Sequence, residues 1–141
     1  MNTAPRLVEV FFYGLFMDRE LLRSKGAQPS DVRLVAVPGY ALRIGLRAAV
    51  VPTPTAVVHG LLMKLSHADL AMLYSEPSVQ AYRPEAVLAV THDGTHIPAL
   101  CYNLADPPSP EERNDEYTGK LIALAQRIGL PQEYVASIGR T

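Results

Sequence analysis

The sequence predicts an α+β fold in which a small, strongly curved β-sheet or barrel is flanked by helices. Two observations predict this class. Apolar stretches, several with a period of two residues, recur between turn signals from residue 8 to residue 103, which indicates about six short strands, several joined as hairpins. Helical spacing appears between those strands and again near the end of the chain.

The first strand, over residues 8–12, ends in an aromatic residue followed by glycine, Tyr13-Gly14. A short helix is predicted directly afterwards, over residues 19–24. Asp18 is a good N-cap for that helix, and Gly26 ends it. The turn between strand and helix is either an ordinary buried turn or a backbone cradle for a small ligand.

The middle of the chain has the pattern of successive short strands. They are predicted at residues 32–37, 40–44 and 57–65, and Pro38-Gly39 is expected to make a turn between the first two. Residues 48–51 form a short apolar run that the stretch from Pro52 to Thr55 closes.

The second half of the chain begins with a helix and a hairpin. Ser66 and Asp69 have the spacing of a capping box and open the helix. Two strands follow, at residues 82–90 and 97–103. They are joined by the hairpin signal Asp93-Gly94-Thr95. A last helix ends at Gly129 and carries an apolar stripe. The stripe consists of Tyr117, Leu121, Leu124, Ala125 and Ile128.

Composition limits the classes of function. The 141 residues suit one domain, residues 1–141, and 48% apolar residues allow a sizeable core. A formal net charge of −1 without a basic block speaks against nucleic-acid and membrane-surface partners. One cysteine, no apolar run of about 20 residues and no signal peptide predict a cytoplasmic protein. Self-association into a homodimer stays open.

Common signatures of metal or nucleophilic chemistry are missing. His92 and His96 flank a hairpin turn, which indicates solvated side chains and not a metal site. Cys101 lies within a predicted strand and is expected to be a buried structural thiol. The sequence contains no nucleophile elbow, phosphate loop or dinucleotide fingerprint.

Glu76 is the acidic residue that invites a chemical interpretation. It follows the predicted helix that Ser66 opens, where the helix dipole disfavours a negative charge. One interpretation is an exposed loop acid. The other is a carboxylate that points into a cavity, where burial would raise its proton affinity and suit it to general-base work.

Three separated motifs stand out along the chain. They are Phe12-Tyr13-Gly14, the strand around Val58-His59-Gly60 with the later Glu76 and Tyr82, and Pro107-Pro108-Ser109-Pro110 with the later Tyr117. In this order they resemble the motifs of the γ-glutamylcyclotransferase-like proteins, from about residue 8 to residue 137. The resemblance implies a small mixed β-barrel with flanking helices and a central cavity.

The resemblance also implies an activity that needs no metal and no cofactor. A γ-glutamyl amino acid, peptide or amine would be converted to 5-oxoproline and the free amine. Glu76 would be the catalytic acid and base, and backbone N–H groups of Gly14, Leu15 and Phe16, after Tyr13, would face the substrate. The two tyrosines that match the family, Tyr82 and Tyr117, would bind substrate through their hydroxyls.

The chain departs from the family pattern near both motif residues. Leu15 stands where the family usually has Ser or Thr, so a side-chain hydroxyl is lost and the pocket becomes more apolar. Pro77 follows Glu76 where the family commonly has Gly. One alternative is therefore a non-catalytic small-molecule-binding or protein-interaction module of the same fold. A separate alternative is a hydrolase in which Glu76 activates water.

Overall fold

The computed structural model describes residues 6–139, and within that range it has five β-strands and four α-helices. The strands are β1 (Leu7–Phe12), β2 (Ser30–Ile44), β3 (Ala48–Ser66), β4 (Tyr82–Thr91) and β5 (His96–Leu104). The helices are α1 (Arg19–Ser24), α2 (His67–Leu73), α3 (Asp115–Ile128) and α4 (Gln132–Ser137). No helix in the described range is long and apolar enough to cross a membrane.

The strands close into a barrel in the order β1-β3-β2-β4-β5. The barrel closes where β1 pairs in parallel with β5, with Phe11 opposite Cys101, whereas the other neighbours are antiparallel. Closure removes the unpaired edges that an open five-stranded sheet would expose. The predicted α+β class, a small curved mixed barrel with flanking helices, is confirmed.

The prediction of about six short strands is wrong for the middle of the chain. Each of the long strands β2 and β3 merges two predicted segments. Pro38 pairs with Val57 and Tyr40 with Pro52, so residues 53–56 of β3 have no partner in β2. Such a bulge tolerates proline because no ladder hydrogen bond is required from its missing N–H. Gly39 takes the left-handed conformation there, with φ +88°.

The predicted helix ends are confirmed by their hydrogen bonds. The Asp18 carboxylate accepts from the backbone N–H groups of Glu20 and Leu21, at 3.0 and 3.3 Å. The Ser66 hydroxyl accepts from the N–H of Asp69 at 3.1 Å. Helix α3 ends at Gly129, whose φ of +93° is the left-handed conformation that favours glycine.

The core has two parts that meet at β1. Val10 and Phe12 face the helices, whereas Phe11 and Tyr13 belong to the cluster inside the barrel. All four side chains are less than one tenth exposed. Because successive side chains of a strand point to opposite faces, a strand buried on both faces is continuously apolar. The last barrel-facing residue of this alternation, Tyr13, stands at the mouth of the barrel.

Candidate active site

A cavity of about 380 Å³ lies where the end of β1, the β2–β3 turn and the segment after α2 meet. Every residue predicted to form the site lines this cavity. They are Tyr13, Gly14, Leu15, Phe16, Glu76, Tyr82 and Tyr117. The structure therefore brings together residues that are up to about 100 positions apart in the sequence, while their roles stay predictions.

The Tyr117 side chain leaves no room for a side chain at position 14. A Cβ atom at this position would lie 2.6 Å from the Tyr117 hydroxyl, so α3 packs directly against the backbone after β1. The chain then forms one turn of 3₁₀-helix over Leu15–Met17, in which the Met17 N–H donates to the Gly14 carbonyl at 3.0 Å. This turn presents Leu15 and Phe16 to the cavity.

Two tyrosine hydroxyls of the cavity donate to the main chain. Tyr13 donates to the carbonyl of Tyr102 at 2.9 Å, and Tyr82 donates to the carbonyl of Ala48. Burial raises the pKa of both tyrosines well above the ordinary value, so both are protonated at neutral pH. Each hydroxyl has one hydrogen, and in this arrangement that hydrogen is used in the bond to the main chain. The two tyrosines therefore stabilise the cavity walls.

One wall of the cavity is an aromatic cluster. The rings of Tyr74 and Tyr102 stack with centroids 4.0 Å apart and an interplanar angle of 9°. Phe16 meets Tyr74 edge-on at 5.6 Å. Tyr74 and Tyr102 also line the cavity, and sequence reasoning missed both. No local signal indicated them, because their contact depends on how β5 is placed against the end of α2.

Glu76 forms an ion pair that the sequence did not predict. Its Oε1 atom lies 2.7 Å from the Lys25 Nζ atom, at the end of α1. Lys25 thereby offsets a negative charge that would otherwise be unfavourable after the C-terminus of α2. The Glu76 side chain keeps 41% of its surface exposed, so the deep burial considered for this carboxylate is not present.

The ion pair and the cavity bear on the two interpretations of Glu76. An enzyme needs this carboxylate to face the cavity, whereas in a non-catalytic module Glu76 would be exposed or ion-paired. The structure has both features, because Glu76 lines the cavity and contacts Lys25. An ion pair this exposed contributes at most about 1 kcal/mol, so it does not withhold the carboxylate from a ligand.

Arg47 is a further charged residue of the cavity that sequence reasoning missed. It lies in the β2–β3 turn, where the Gly45 N–H donates to its carbonyl at 3.0 Å. Its charge lies close enough to Tyr82 to oppose the rise in that tyrosine's pKa.

The residues excluded as reactive groups lie elsewhere. His92 and His96 are exposed at the β4–β5 turn, and the described range holds no cluster of side chains suited to bind a metal ion. Cys101 is free and buried in the barrel, where burial raises its pKa to about 12. A thiol with that pKa stays protonated and is a poor nucleophile.

Comparison with known proteins gives a family for this arrangement. The family model described as gamma-glutamyl cyclotransferase, AIG2-like matches residues 10–121. The chain belongs to this family. The matched range includes every residue predicted to form the site, from Tyr13 to Tyr117. No curated protein is similar enough in sequence to count as a relative.

Solved structures show the same fold at low sequence identity. An uncharacterized protein from Homo sapiens, loc79017, is 22% identical with a TM-score of 0.75 over 95% of this chain and 87% of its own. A gamma-glutamyl cyclotransferase is 20% identical with a TM-score of 0.76, over 96% and 88% of the two chains. The Arabidopsis thaliana protein At5g39720.1 is 17% identical with a TM-score of 0.66, over 93% and 98%. The barrel with its flanking helices is therefore the fold of gamma-glutamyl cyclotransferase, AIG2-like proteins.

Proposed function

We propose that this family member is a γ-glutamyl cyclotransferase that converts a γ-glutamyl amino acid, peptide or amine to 5-oxoproline and the free amine. One observation carries the proposal. The Glu76 carboxylate lines the same cavity as the Tyr13-Gly14 turn, although 62 residues separate Gly14 from Glu76 in the sequence.

The chemistry needs little more than a positioned base. The α-amino nitrogen of the substrate attacks its own γ-carbonyl carbon, a new C–N bond closes the five-membered ring, and the original amide C–N bond breaks. Holding the two groups together lowers the barrier by several kcal/mol because the attack is intramolecular. Glu76 takes, one at a time, the two protons that the α-ammonium nitrogen loses before and after the attack. It passes them to the leaving nitrogen, which departs as an ammonium group, so no net proton is consumed.

The ion pair fits this proton transfer. Lys25 fixes the position of the Glu76 carboxylate when no substrate is present. Because the pair is partly exposed, the substrate α-ammonium group can approach the carboxylate and share its oxygens with Lys25. Lys25 thus both offsets the negative charge after α2 and positions the Glu76 carboxylate at the cavity.

The turn after β1 is proposed to stabilise the developing oxyanion. The first N–H groups of a helical turn have no partner within that turn. The N–H groups of Gly14, Leu15 and Phe16 are therefore candidates to donate to negative charge on the γ-carbonyl oxygen. The Tyr117 hydroxyl lies against Gly14 and is a further candidate donor.

A non-catalytic binding module of the same fold is the second candidate. The Lys25–Glu76 ion pair is the observation that favours it, because a paired carboxylate can be purely structural. Such a module would bind γ-glutamyl compounds or another small molecule without releasing 5-oxoproline.

The test is direct detection of the product. Purified protein is incubated with γ-glutamyl dipeptides, glutathione and γ-glutamyl amines, and 5-oxoproline is measured by mass spectrometry. The Glu76→Gln variant is expected to lose at least about 100-fold in kcat, since a general acid–base contributes that much. Glu20→Gln, an exposed residue of α1 that does not line the cavity, is the matched control. A folded wild-type protein without turnover on the whole panel would favour the binding module.

A further inference from the structure

Of the charged side chains that line the cavity, two form an ion pair and one does not. Among the described residues that line it, three carry a carboxylate, ammonium or guanidinium group: Lys25, Arg47 and Glu76. Lys25 and Glu76 neutralise each other at 2.7 Å. Arg47 has no ion-pair partner within the described range. The cavity therefore presents one positive charge that the protein does not balance.

The turn that carries Arg47 is held on two sides. The Leu46 N–H donates to Glu112 Oε2 at 3.4 Å, and the Asn114 side-chain amide donates to the Leu46 carbonyl at 3.5 Å. On the other side, the Tyr82 hydroxyl donates to the carbonyl of Ala48. A guanidinium on a fixed turn binds an anion at a lower entropic cost than one on a free loop.

We propose that Arg47 binds the α-carboxylate of the γ-glutamyl group and so determines specificity for a carboxylated substrate. The inference rests on the proposed function and extends it. A guanidinium matches a carboxylate through two parallel hydrogen bonds, which an ammonium group does not provide. With the carboxylate on Arg47, the backbone N–H groups of Gly14, Leu15 and Phe16 are left to stabilise the oxyanion.

Turnover of a matched substrate pair tests this role. One compound is the γ-glutamyl compound that the wild-type protein converts best. The other is its 4-aminobutanoyl analogue, which has the same leaving amine, lacks the α-carboxylate and cyclises to 2-pyrrolidinone. In wild-type protein the γ-glutamyl compound is expected to have the higher kcat/KM. Arg47→Gln is expected to raise the KM of the γ-glutamyl compound about 10- to 100-fold and to leave the KM of the analogue unchanged.

Two further variants separate binding from a disturbed turn. Arg47→Lys keeps the charge without the fork and is expected to recover part of the lost preference. Arg43→Gln removes a guanidinium of the same hairpin that lines a different cavity. It is expected to keep the wild-type preference. A preference for the carboxylated compound that survives in Arg47→Gln would overturn the inference, and so would an equal loss in Arg43→Gln.

Binding of the product distinguishes failure of the inference from failure of the proposed function. 5-Oxoproline and 2-pyrrolidinone are titrated separately into wild-type protein and Arg47→Gln, with NMR shifts as the readout. Stronger binding of 5-oxoproline that disappears in Arg47→Gln supports the carboxylate site even if no γ-glutamyl compound is turned over. Equal binding of 5-oxoproline by both proteins, or by neither, contradicts it.

Discussion

The packing of α3 against Gly14 limits which residue this position of the site can carry. The Tyr117 hydroxyl occupies the space of a side chain, 2.6 Å from where a Cβ atom would lie. Gly14→Ala is therefore expected to lower the free energy of unfolding by about 1–3 kcal/mol, because either the ring or the turn must shift. The backbone itself is compatible with alanine, since φ is −114°.

A second substitution distinguishes steric conflict from other causes. Tyr117→Phe removes the hydroxyl, and the next ring atom lies 3.9 Å from the new Cβ, which is an ordinary contact distance. The double variant is expected to regain most of the stability that Gly14→Ala loses, measured by urea unfolding of all four proteins. Simple additivity of the two changes would contradict this account.

The residues of the site differ in how far the sequence could predict them. Tyr13 and Glu76 were found because they belong to motifs that are local in the chain and resemble a known family. Lys25 and Arg47 belong to no such motif, and each reaches the cavity only through the packing of α1 and the β2–β3 turn. An ion pair between residues 51 positions apart is set by tertiary structure and leaves no local pattern.

The β2–β3 turn depends on the acidic segment before α3, which carries Glu111 and Glu112. A Cβ atom at Gly45 would lie 2.2 Å from Glu112 Oε2 and 2.6 Å from Pro108 Cβ. Gly45→Ala is therefore expected to displace the segment that carries Glu112. The Glu112 carboxylate accepts a hydrogen bond from the N–H of Leu46. When this bond is weakened, the amide of Leu46 should exchange with solvent faster.

Hydrogen exchange followed by NMR measures this effect directly. The amides of the β4–β5 turn serve as an internal control. No atom of another segment lies within 4 Å of where a Gly94 Cβ atom would be, so this turn does not pack on the segment that Gly45→Ala displaces. Unchanged exchange at Leu46, together with unchanged stability in urea, would show that the acidic segment is not packed on the turn.

The elements were predicted best where caps and turns fix them locally. Asp18, Ser66 and Gly129 end or begin helices through contacts within a few residues, and these boundaries were correct. The long strands β2 and β3 were divided because Pro38 and Pro52 indicate turns in a local window. In the structure the two prolines flank a bulge in the β2–β3 ladder and stay paired, Pro38 with Val57 and Pro52 with Tyr40, 12 or more residues away. Strand length is thus set by the ladder and not by the segment alone.

The barrel and the helices packed on it bury five tyrosines wholly or in part. Burial raises the pKa of Tyr13, Tyr74, Tyr82, Tyr117 and Tyr134 above the ordinary value of 10.0. In the unfolded chain these groups lose their protons near pH 10, whereas in the folded barrel they keep them. Above pH 10 the unfolded state therefore binds fewer protons, and stability falls as the pH rises.

This linkage predicts cooperative alkaline unfolding. Each such group lowers the free energy of unfolding by up to about 1.4 kcal/mol per pH unit between its unfolded and folded pKa values. Several groups acting together are expected to unfold the barrel within about two pH units above pH 10. Tyrosinate absorbance at 295 nm should then rise together with the loss of circular dichroism, whereas protein in 8 M urea should titrate smoothly near pH 10. Tyrosinate that forms gradually in a barrel with native circular dichroism would mean that these hydroxyls reach solvent in the folded state.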